Sequence, residues 1–149
     1  IYGTTGGVAE AVVRHCMPDK SRNTLRALEY SPLRGNDSIR EATVQVGDRE
    51  IHLAVVHGLI HAQELLKEID AGNAYYDLIE VMTCPGGCVG GAGQPYGLKQ
   101  KKQERTAGLY AADRSAPFKR AEYNPVVTSM MDAYTPDQRH DLLHVDYTK

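Results

Sequence analysis

The pattern of apolar residues between positions 51 and 82 limits the fold more than any other feature. A nearly continuous apolar run, Ile51–Val56, is typical of a strand that is buried on both faces of a sheet. After Gly58, apolar side chains recur at helical spacing as far as Ile69, and a second apolar run covers Tyr76–Met82. Strand, helix and strand in this order predict a βαβ unit with two parallel strands and a right-handed crossover.

The segments before this unit predict a further strand and a helix. Residues 41–46 alternate between polar and apolar and then reach Gly47-Asp48, which indicates a strand and a hairpin turn. Near the start of the chain, Thr4 or Thr5 can cap a helix that ends around residues 17–20. Val8, Val12 and Cys16 lie at i, i+4 and i+8 with Ala9 and Val13 beside them, so we expect these residues on its apolar face, with Cys16 as inert core. Residues 21–40 are weakly patterned and predict mixed helix and loop.

The C-terminal part of the sequence is helical. A charged helix is expected at about residues 99–113, and Asn124-Pro125 and Thr135-Pro136 each combine an N-cap residue with proline at the first helical position. A chain of 149 residues suits one domain. The predicted fold class is therefore α/β, with parallel strands and flanking helices in residues 1–98 and a helical tail in residues 99–149, as one partial domain.

Charge and hydropathy exclude several functional classes. Seventeen Lys and Arg against nineteen Asp and Glu give a net charge of −2, which argues against a nucleic-acid or anionic-membrane binder. No apolar run approaches the roughly 20 residues of a membrane helix, and no secretory signal is visible. Because the opening residues resemble a strand turning into a helix, we expect a fragment or a subunit of something larger. We expect it in the cytoplasm, and a periplasmic location stays open.

The most unusual segment begins at the carboxyl end of the second predicted strand. Cys84 and Cys88 are four residues apart, and residues 84–93 contain five glycines. Glycines permit positive φ and close approach of the backbone to a bulky object, and exposed N–H groups can cradle an anionic or sulfide-rich group. Two thiolates on such a loop suit a soft metal or an iron–sulfur cluster.

Other interpretations of these residues stay open at this point. The two cysteines could be small buried hydrophobes or a redox disulfide. They could also bind zinc together with His140 and His144, which share a helix face, although the gap between the pairs is long. His57 and His61 are interpreted as ordinary strand-end and helix histidines. Three cysteines cannot supply the four thiolates that a cubane usually takes, so a cluster would need ligands from a missing segment or another chain.

The residues of this segment match a known family. Residues 79–95, Ile-Glu-Val-Met-Thr-Cys-Pro-Gly-Gly-Cys-Val-Gly-Gly-Ala-Gly-Gln-Pro, resemble the third signature of the [FeFe]-hydrogenases. Residues 1–8 and 55–59 resemble two strand-and-turn segments of the same family, and residues 123–125 and 140–144 resemble its C-terminal region. That region is a separate small subunit in some members.

The resemblance implies a site and a reaction. It implies an H-cluster, a [4Fe–4S] cubane bridged by a thiolate to a diiron centre that carries CO, cyanide and a bridging dithiolate. Cys84 would ligate the cubane, and Cys88 would be the shared bridging thiolate and the catalytic residue. Met82 would face the diiron centre, with Tyr2 and Val8 as pocket wall. The reaction is reversible conversion of H2 into protons and electrons, exchanged with ferredoxin or a similar carrier, and an upstream segment or partner subunit would supply the other cluster ligands.

Three positions depart from the usual pattern of the family. Tyr2 stands where Phe is common, Thr83 where Ala is common and Ala92 where Gly is usual. These departures leave open a non-catalytic or H2-sensing member, or a cytosolic iron–sulfur relative without hydrogenase activity. A small zinc-stabilised interaction domain is the more distant alternative. The intact Cys-Pro-Gly-Gly-Cys sequence favours the hydrogenase.

Overall fold

A computed structural model describes residues 1–18, 32–35 and 37–145. It contains three strands, β1 (Ile39–Val46), β2 (Arg49–His57) and β3 (Leu78–Met82). Its helices are α1 (Gly7–Cys16), α2 (Leu59–Asp70), α3 (Lys99–Ser115), α4 (Pro125–Asp132) and α5 (Pro136–Leu143), with short 3₁₀ turns at Cys88–Gly90 and Ala121–Tyr123. The chain divides into two compact units, Ile1–Ala116 and Pro117–Lys149. Helix α3 thus belongs to the first unit, and the predicted boundary between residues 98 and 99 stays a prediction.

The described strands form a sheet in the order β1-β2-β3. β1 pairs with β2 in antiparallel register, and β2 pairs with β3 in parallel register, from Leu53 opposite Leu78 to His57 opposite Met82. The predicted hairpin and the predicted βαβ unit are therefore both confirmed. β3 begins two residues later than the predicted run, and β1 begins two residues earlier, at Ile39, within the segment expected to be mixed helix and loop. The remainder of that segment lies mostly outside the described residues.

The core covers both faces of the sheet, which explains the continuous apolar run of β2. Leu53 and Val55 pack with the α1 side of the sheet, and Ala54 and Val56 pack with α2. All four side chains are fully buried, and each of the larger ones contributes about 1.5–3 kcal/mol by its removal from water. This arrangement places helices on both faces of the sheet, as the α/β fold class requires.

The predicted apolar face of α1 is confirmed for Ala9 and Val13 and wrong for Val8, Val12 and Cys16. Val8 and Val12 are 39% and 40% exposed and Cys16 is exposed, whereas the neighbouring row, Ala9, Val13 and Met17, is buried against the sheet. The buried side of the helix also carries Glu10 and Arg14, which form an ion pair with each other. A pattern of apolar residues alone does not predict that charged residues are buried. Cys16 is a surface thiol and not a core residue.

The second unit follows the predicted local signals closely. The Asn124 side chain accepts a hydrogen bond from the Val126 N–H, with Pro125 at the first position of α4. Thr135 and Gln138 form a reciprocal capping box at the start of α5. Both predicted N-caps are confirmed. Met130, Leu142 and Leu143 are more than half exposed. In the described ranges, no helix is long and apolar enough to span a bilayer.

Candidate functional site

The cysteine loop leaves the carboxyl end of β3 and turns sharply at two glycines. Gly86 and Gly87 have φ angles of 84° and 94°, in the left-handed region that favours glycine. A Cβ atom on Gly87 would lie 2.7 Å from the carbonyl oxygen of Gly3 and 2.8 Å from the nitrogen of Thr5. The glycine is therefore required because the loop backbone lies directly against the opening turn of the chain.

Backbone hydrogen bonds join this loop to the opening turn. The Thr5 N–H donates to the Gly86 carbonyl over 3.2 Å, and the Val89 N–H donates to the Gly3 carbonyl over 3.0 Å. Tyr2 precedes this contact and α1 follows it, so the two segments that resemble hydrogenase signatures meet in the fold. The sequence distance between them is more than 80 residues, and these two backbone hydrogen bonds join them directly.

Glu80 fixes the opening turn to the sheet. Its side chain is 7% exposed, and its two carboxylate oxygens accept hydrogen bonds from the N–H groups of Gly6 (2.6 Å) and Ala9 (2.7 Å). These are N–H groups at the start of α1 that have no partner within the helix, and the negative charge also complements the helix dipole. The expected cap by Thr4 or Thr5 is wrong: Gly6 is the N-cap residue, and the Thr4 hydroxyl donates instead to the Ile1 carbonyl over 2.8 Å.

Sequence reasoning missed Glu80, although a signal for it exists. A carboxylate in the middle of an apolar strand is costly to bury without donors, so its presence in Ile79-Glu80-Val81 indicates that backbone or cationic donors must come from another element. The sequence alone does not say which element, because the donors lie more than 70 residues away.

A buried ion-pair network fixes α1 against α3. Arg14 pairs with Glu10 and, through two hydrogen bonds of 2.7 and 2.8 Å, with Asp113. Arg34 bonds to both carboxylates, and its guanidinium lies 4.2 Å from the ring centre of Tyr110. Burial opposes the charged form of Arg14, but the hydrogen bond that it donates to Asp113 and the charges of Asp113 and Glu10 raise its pKa above the ordinary value. The complete pairing explains how α1 buries charges beside its apolar row.

Arg105 connects the far end of the cysteine loop to α3. Its guanidinium donates to the carbonyl of Val89 over 3.0 Å and to that of Pro95 over 2.6 Å. The loop is thus held at the opening turn on one side and at α3 on the other. Ala92, which replaces the usual glycine of the signature, causes no strain, since every described residue with positive φ is a glycine.

The two loop cysteines are free thiols. Cys84 is half-buried and Cys88 is exposed. They do not form the alternative redox disulfide, and Cys88 is not the small buried hydrophobe of the other alternative. Met82 is half-buried at the end of β3, and its carbonyl accepts a hydrogen bond from the Gly58 N–H over 2.8 Å. Tyr2 is 58% exposed on the opening turn.

The histidines considered for zinc are found elsewhere. His140 and His144 stack on each other in the second unit with ring centres 4.7 Å apart. Across residues 1–18, 32–35 and 37–145, no group of three or more His, Cys, Asp and Glu side chains has an arrangement that could hold a metal ion. His57 is buried at the end of β2, and His61 bonds to Glu64 on the surface of α2 over 3.1 Å.

Two protein families match the chain end to end. The family described as "Iron only hydrogenase large subunit, C-terminal domain" matches residues 1–92, and "Iron hydrogenase small subunit" matches residues 99–149. The NADP-reducing hydrogenase subunit HndD of Solidesulfovibrio fructosivorans is 40% identical over 100% of this chain and 26% of its own length. A probable cytosolic Fe-S cluster assembly factor of Anopheles gambiae is 30% identical over 96% of this chain and 31% of its own length.

Solved structures agree with this relationship. The [FeFe]-hydrogenase HydA1 from Chlamydomonas reinhardtii superposes with a TM-score of 0.68 at 29% sequence identity, covering 99% of this chain and 45% of the other. The chain thus spans about a quarter to a third of the length of the curated relatives quoted above and less than half of this structure. With both family matches and the shared fold in place, the chain belongs to the iron-only hydrogenase family.

Proposed function

We propose that this chain is the C-terminal part of a hydrogenase catalytic domain that interconverts H2 with protons and electrons at an H-cluster. The observation that carries the proposal is the cysteine loop, which presents two free thiols at the carboxyl end of β3 and is hydrogen-bonded to the opening turn. The electron partner in this proposal is ferredoxin or a similar carrier. The 40% identity to a hydrogenase subunit over the whole chain supports it.

The donor set fits half of an iron–sulfur site. Thiolates are the ligands that iron–sulfur clusters take, usually four for a cubane, and this loop offers Cys84 and Cys88. A Cβ atom on Gly91 would lie 3.4 Å from the Cys84 Sγ, so the glycine keeps a side chain away from that sulfur. The proposal therefore requires further ligands from protein outside this chain.

Each proposed site residue has a distinct role. Cys84 would bind the cubane, and Cys88, the more exposed thiol, would bridge the cubane and the diiron centre. Met82, Tyr2 and Val8 would form the wall of the diiron pocket. When bound, the cluster supplies the H2 chemistry and carries the electrons. The chain's own residues ligate it and keep water away with apolar side chains, and the Tyr2 hydroxyl would be a polar group at the pocket edge.

Glu80 supports these roles from behind the site. By bonding the Gly6 and Ala9 N–H groups, it holds the start of α1 at a fixed position on the strand that carries Met82. Val8 lies between those two N–H groups in the sequence. The spacing of pocket wall and cysteine loop is therefore set by a buried contact that does not itself touch the cluster.

A second candidate function comes from the same family. The Anopheles gambiae assembly factor matches nearly the whole chain, and a non-catalytic iron–sulfur protein would use the same two thiols. The two functions differ in the diiron centre, since an iron–sulfur protein without H2 chemistry has no need of CO and cyanide ligands.

Metal analysis and infrared spectroscopy of the full-length protein separate these functions. We expect about six iron atoms per chain, four in the cubane and two in the diiron centre, with infrared bands of CO and cyanide and with H2 turnover. Iron and sulfide without these bands and without turnover would establish the assembly-type function instead. One zinc and no iron would overturn both.

A serine substitution tests the bridging role of Cys88. In the full-length protein, we expect Cys88→Ser to lose the infrared bands of the diiron centre, because a hydroxyl is a poor ligand for soft iron–sulfur chemistry. Cys16→Ser is the matched control, since this exposed thiol lies at the far end of α1. Wild-type H2 turnover in Cys88→Ser, or equal loss of the bands in both variants, would contradict the assigned role.

A further inference from the structure

A cavity of about 500 Å³ lies behind the cysteine loop, in the first unit. The end of β2, the opening turn and the N-terminal half of α3 enclose it together with the loop backbone at Gly86. Neither Cys84 nor Cys88 lines it, so it is separate from the proposed cluster site. Its volume is in the range of small-molecule sites in proteins.

The lining of this cavity is cationic and rich in hydrogen-bond donors. Lys99 and Lys102 contribute two ammonium groups, and Thr106 contributes a hydroxyl. Among the described residues that line it, none is aspartate or glutamate. A site built of positive charge and hydroxyl donors without a carboxylate selects anions over cations or neutral molecules.

The start of α3 adds a second argument for an anion. Its N-cap, Leu98, makes no side-chain hydrogen bond, and the first turn contains no acidic residue but three lysines, at positions 99, 101 and 102. Cations are unfavourable at this end of a helix because its dipole is positive there. A bound anion would satisfy the free N–H groups and offset the lysine charges.

Two buried polar atoms support an anion site independently of the lysines and of the helix dipole. Thr5 and His57 are 2% and 7% exposed, and both line the cavity. Thr5 Oγ1 and His57 Nε2 have no hydrogen-bond partner among the described residues. Buried polar groups are nearly always hydrogen-bonded, and both of these atoms can donate to an oxygen, the histidine nitrogen in the appropriate tautomer.

We propose that this cavity binds the phosphate or carboxylate group of a small anionic molecule from solution. Lys102 and Lys99 supply the charge, and Thr106, Thr5 and His57 supply the hydrogen bonds. Pro85 and Gly86 line the site, so an occupied site would support the backbone of the loop between its two cysteines.

Calorimetric titration of the full-length, cluster-free protein with inorganic phosphate tests the proposal. At constant ionic strength, we expect phosphate to bind and Lys102→Gln to weaken its affinity at least tenfold. Lys101→Gln is the matched control, since Lys101 pairs with Glu104 over 2.7 Å and does not line the cavity. We expect it to change the affinity less than twofold.

A second anion and an uncharged variant extend this test. Acetate titrated in parallel shows whether carboxylates share the site with phosphate, and Thr106→Val, expected to weaken binding severalfold, provides a variant with no change of charge. Absence of phosphate binding, or equal weakening in Lys102→Gln and Lys101→Gln, would overturn the proposal. Because the protein carries no cluster in this experiment, the result does not depend on whether the hydrogenase function is correct.

Discussion

The two compact units of this chain are organised by opposite means. In Ile1–Ala116, a buried sheet and long-range polar contacts set the structure, as in the bonds of Glu80 to N–H groups more than 70 residues away. Among the described residues of Pro117–Lys149, no apolar side chain is buried, and helix caps mark where α4 and α5 begin.

This difference indicates which unit can carry a ligand site. A ligand site needs side chains held in place by a packed framework, and only the first unit provides one within this chain. The exposed apolar residues of the second unit, with Val126 at 73% and Leu142 at 65% exposure, show that its helices leave much of their apolar surface uncovered here. Variants should therefore have large and distant effects in the first unit and small, local effects in the second.

Gly87→Ala should give the largest effect. A Cβ atom at this position would meet three backbone atoms of the opening turn within 2.9 Å, and the φ of 94° is unfavourable for alanine. We expect the free energy of unfolding of the full-length protein to fall by about 3 kcal/mol or more, with loss of bound iron. Urea denaturation and iron analysis measure both.

Gly86→Ala is the control for this prediction. Its φ of 84° is equally unfavourable, but a Cβ atom there would have no neighbour within 4 Å. We expect a loss of only about 1–2 kcal/mol, the cost of the left-handed conformation. Equal losses in the two variants would show that the close approach of the loop to the opening turn does not matter.

Glu80→Gln should give the second-largest effect. The amide has one acceptor oxygen in place of two and turns a donor toward one of the two N–H groups, so a buried donor loses its partner. We expect a loss of about 2–4 kcal/mol in the free energy of unfolding and faster hydrogen exchange at the Gly6 and Ala9 amides. Glu64→Gln, on the surface of α2, should change stability by less than about 0.5 kcal/mol. Unchanged exchange at Gly6 and Ala9 would refute the capping role.

The sequence predicted those parts of the fold that local patterns determine. The apolar run of β2, the helical spacing of α2 and the Asn-Pro and Thr-Pro caps each depend on neighbouring residues, and each is confirmed. The buried face of α1 could not be predicted in this way. The pattern groups Val8 and Val12 with Ala9 and Val13 on one apolar face, but only Ala9 and Val13 are buried. They lie on the side of the helix where Glu10 and Arg14 pair with residues far along the chain.

The sequence singles out the candidate ligands of the site but not the residues that support them. Cys84 and Cys88 stand out through residue type and glycine spacing, which are visible in one segment. Glu80, Arg105 and Asp113 act through partners on other elements, and their identities follow only from the three-dimensional arrangement. The roles of Met82, Tyr2 and Val8 remain predictions, since they depend on a cluster and on protein outside this chain.

Thr135→Ala tests the local character of the second unit. Removing the hydroxyl abolishes half of the capping box, and we expect a loss of about 1 kcal/mol, confined to α5. Hydrogen exchange of residues 136–143 should become faster, while the urea midpoint of the first unit stays unchanged. Gln138→Glu preserves the box and should leave exchange unaltered. A shift of the first unit's midpoint in Thr135→Ala would contradict a purely local role for this cap.

The smallest effect is expected from a surface contact of the first unit, between Tyr76 and Glu41. The hydrogen bond to Glu41, with burial and the carboxylate charge, raises the pKa of Tyr76 from 10.0 to about 12. Because the folded-state pKa exceeds the unfolded value, this contribution to stability is fully present below about pH 10 and disappears as the pH rises to about 12. Phenolate absorbance should show a group titrating near pH 12 that is missing in Tyr76→Phe and retained in Tyr96→Phe, where the tyrosine is 97% exposed. If Tyr76 itself ionises near pH 10, the contact does not stabilise the neutral phenol, and the edge of the sheet is held by its backbone ladder and apolar face alone.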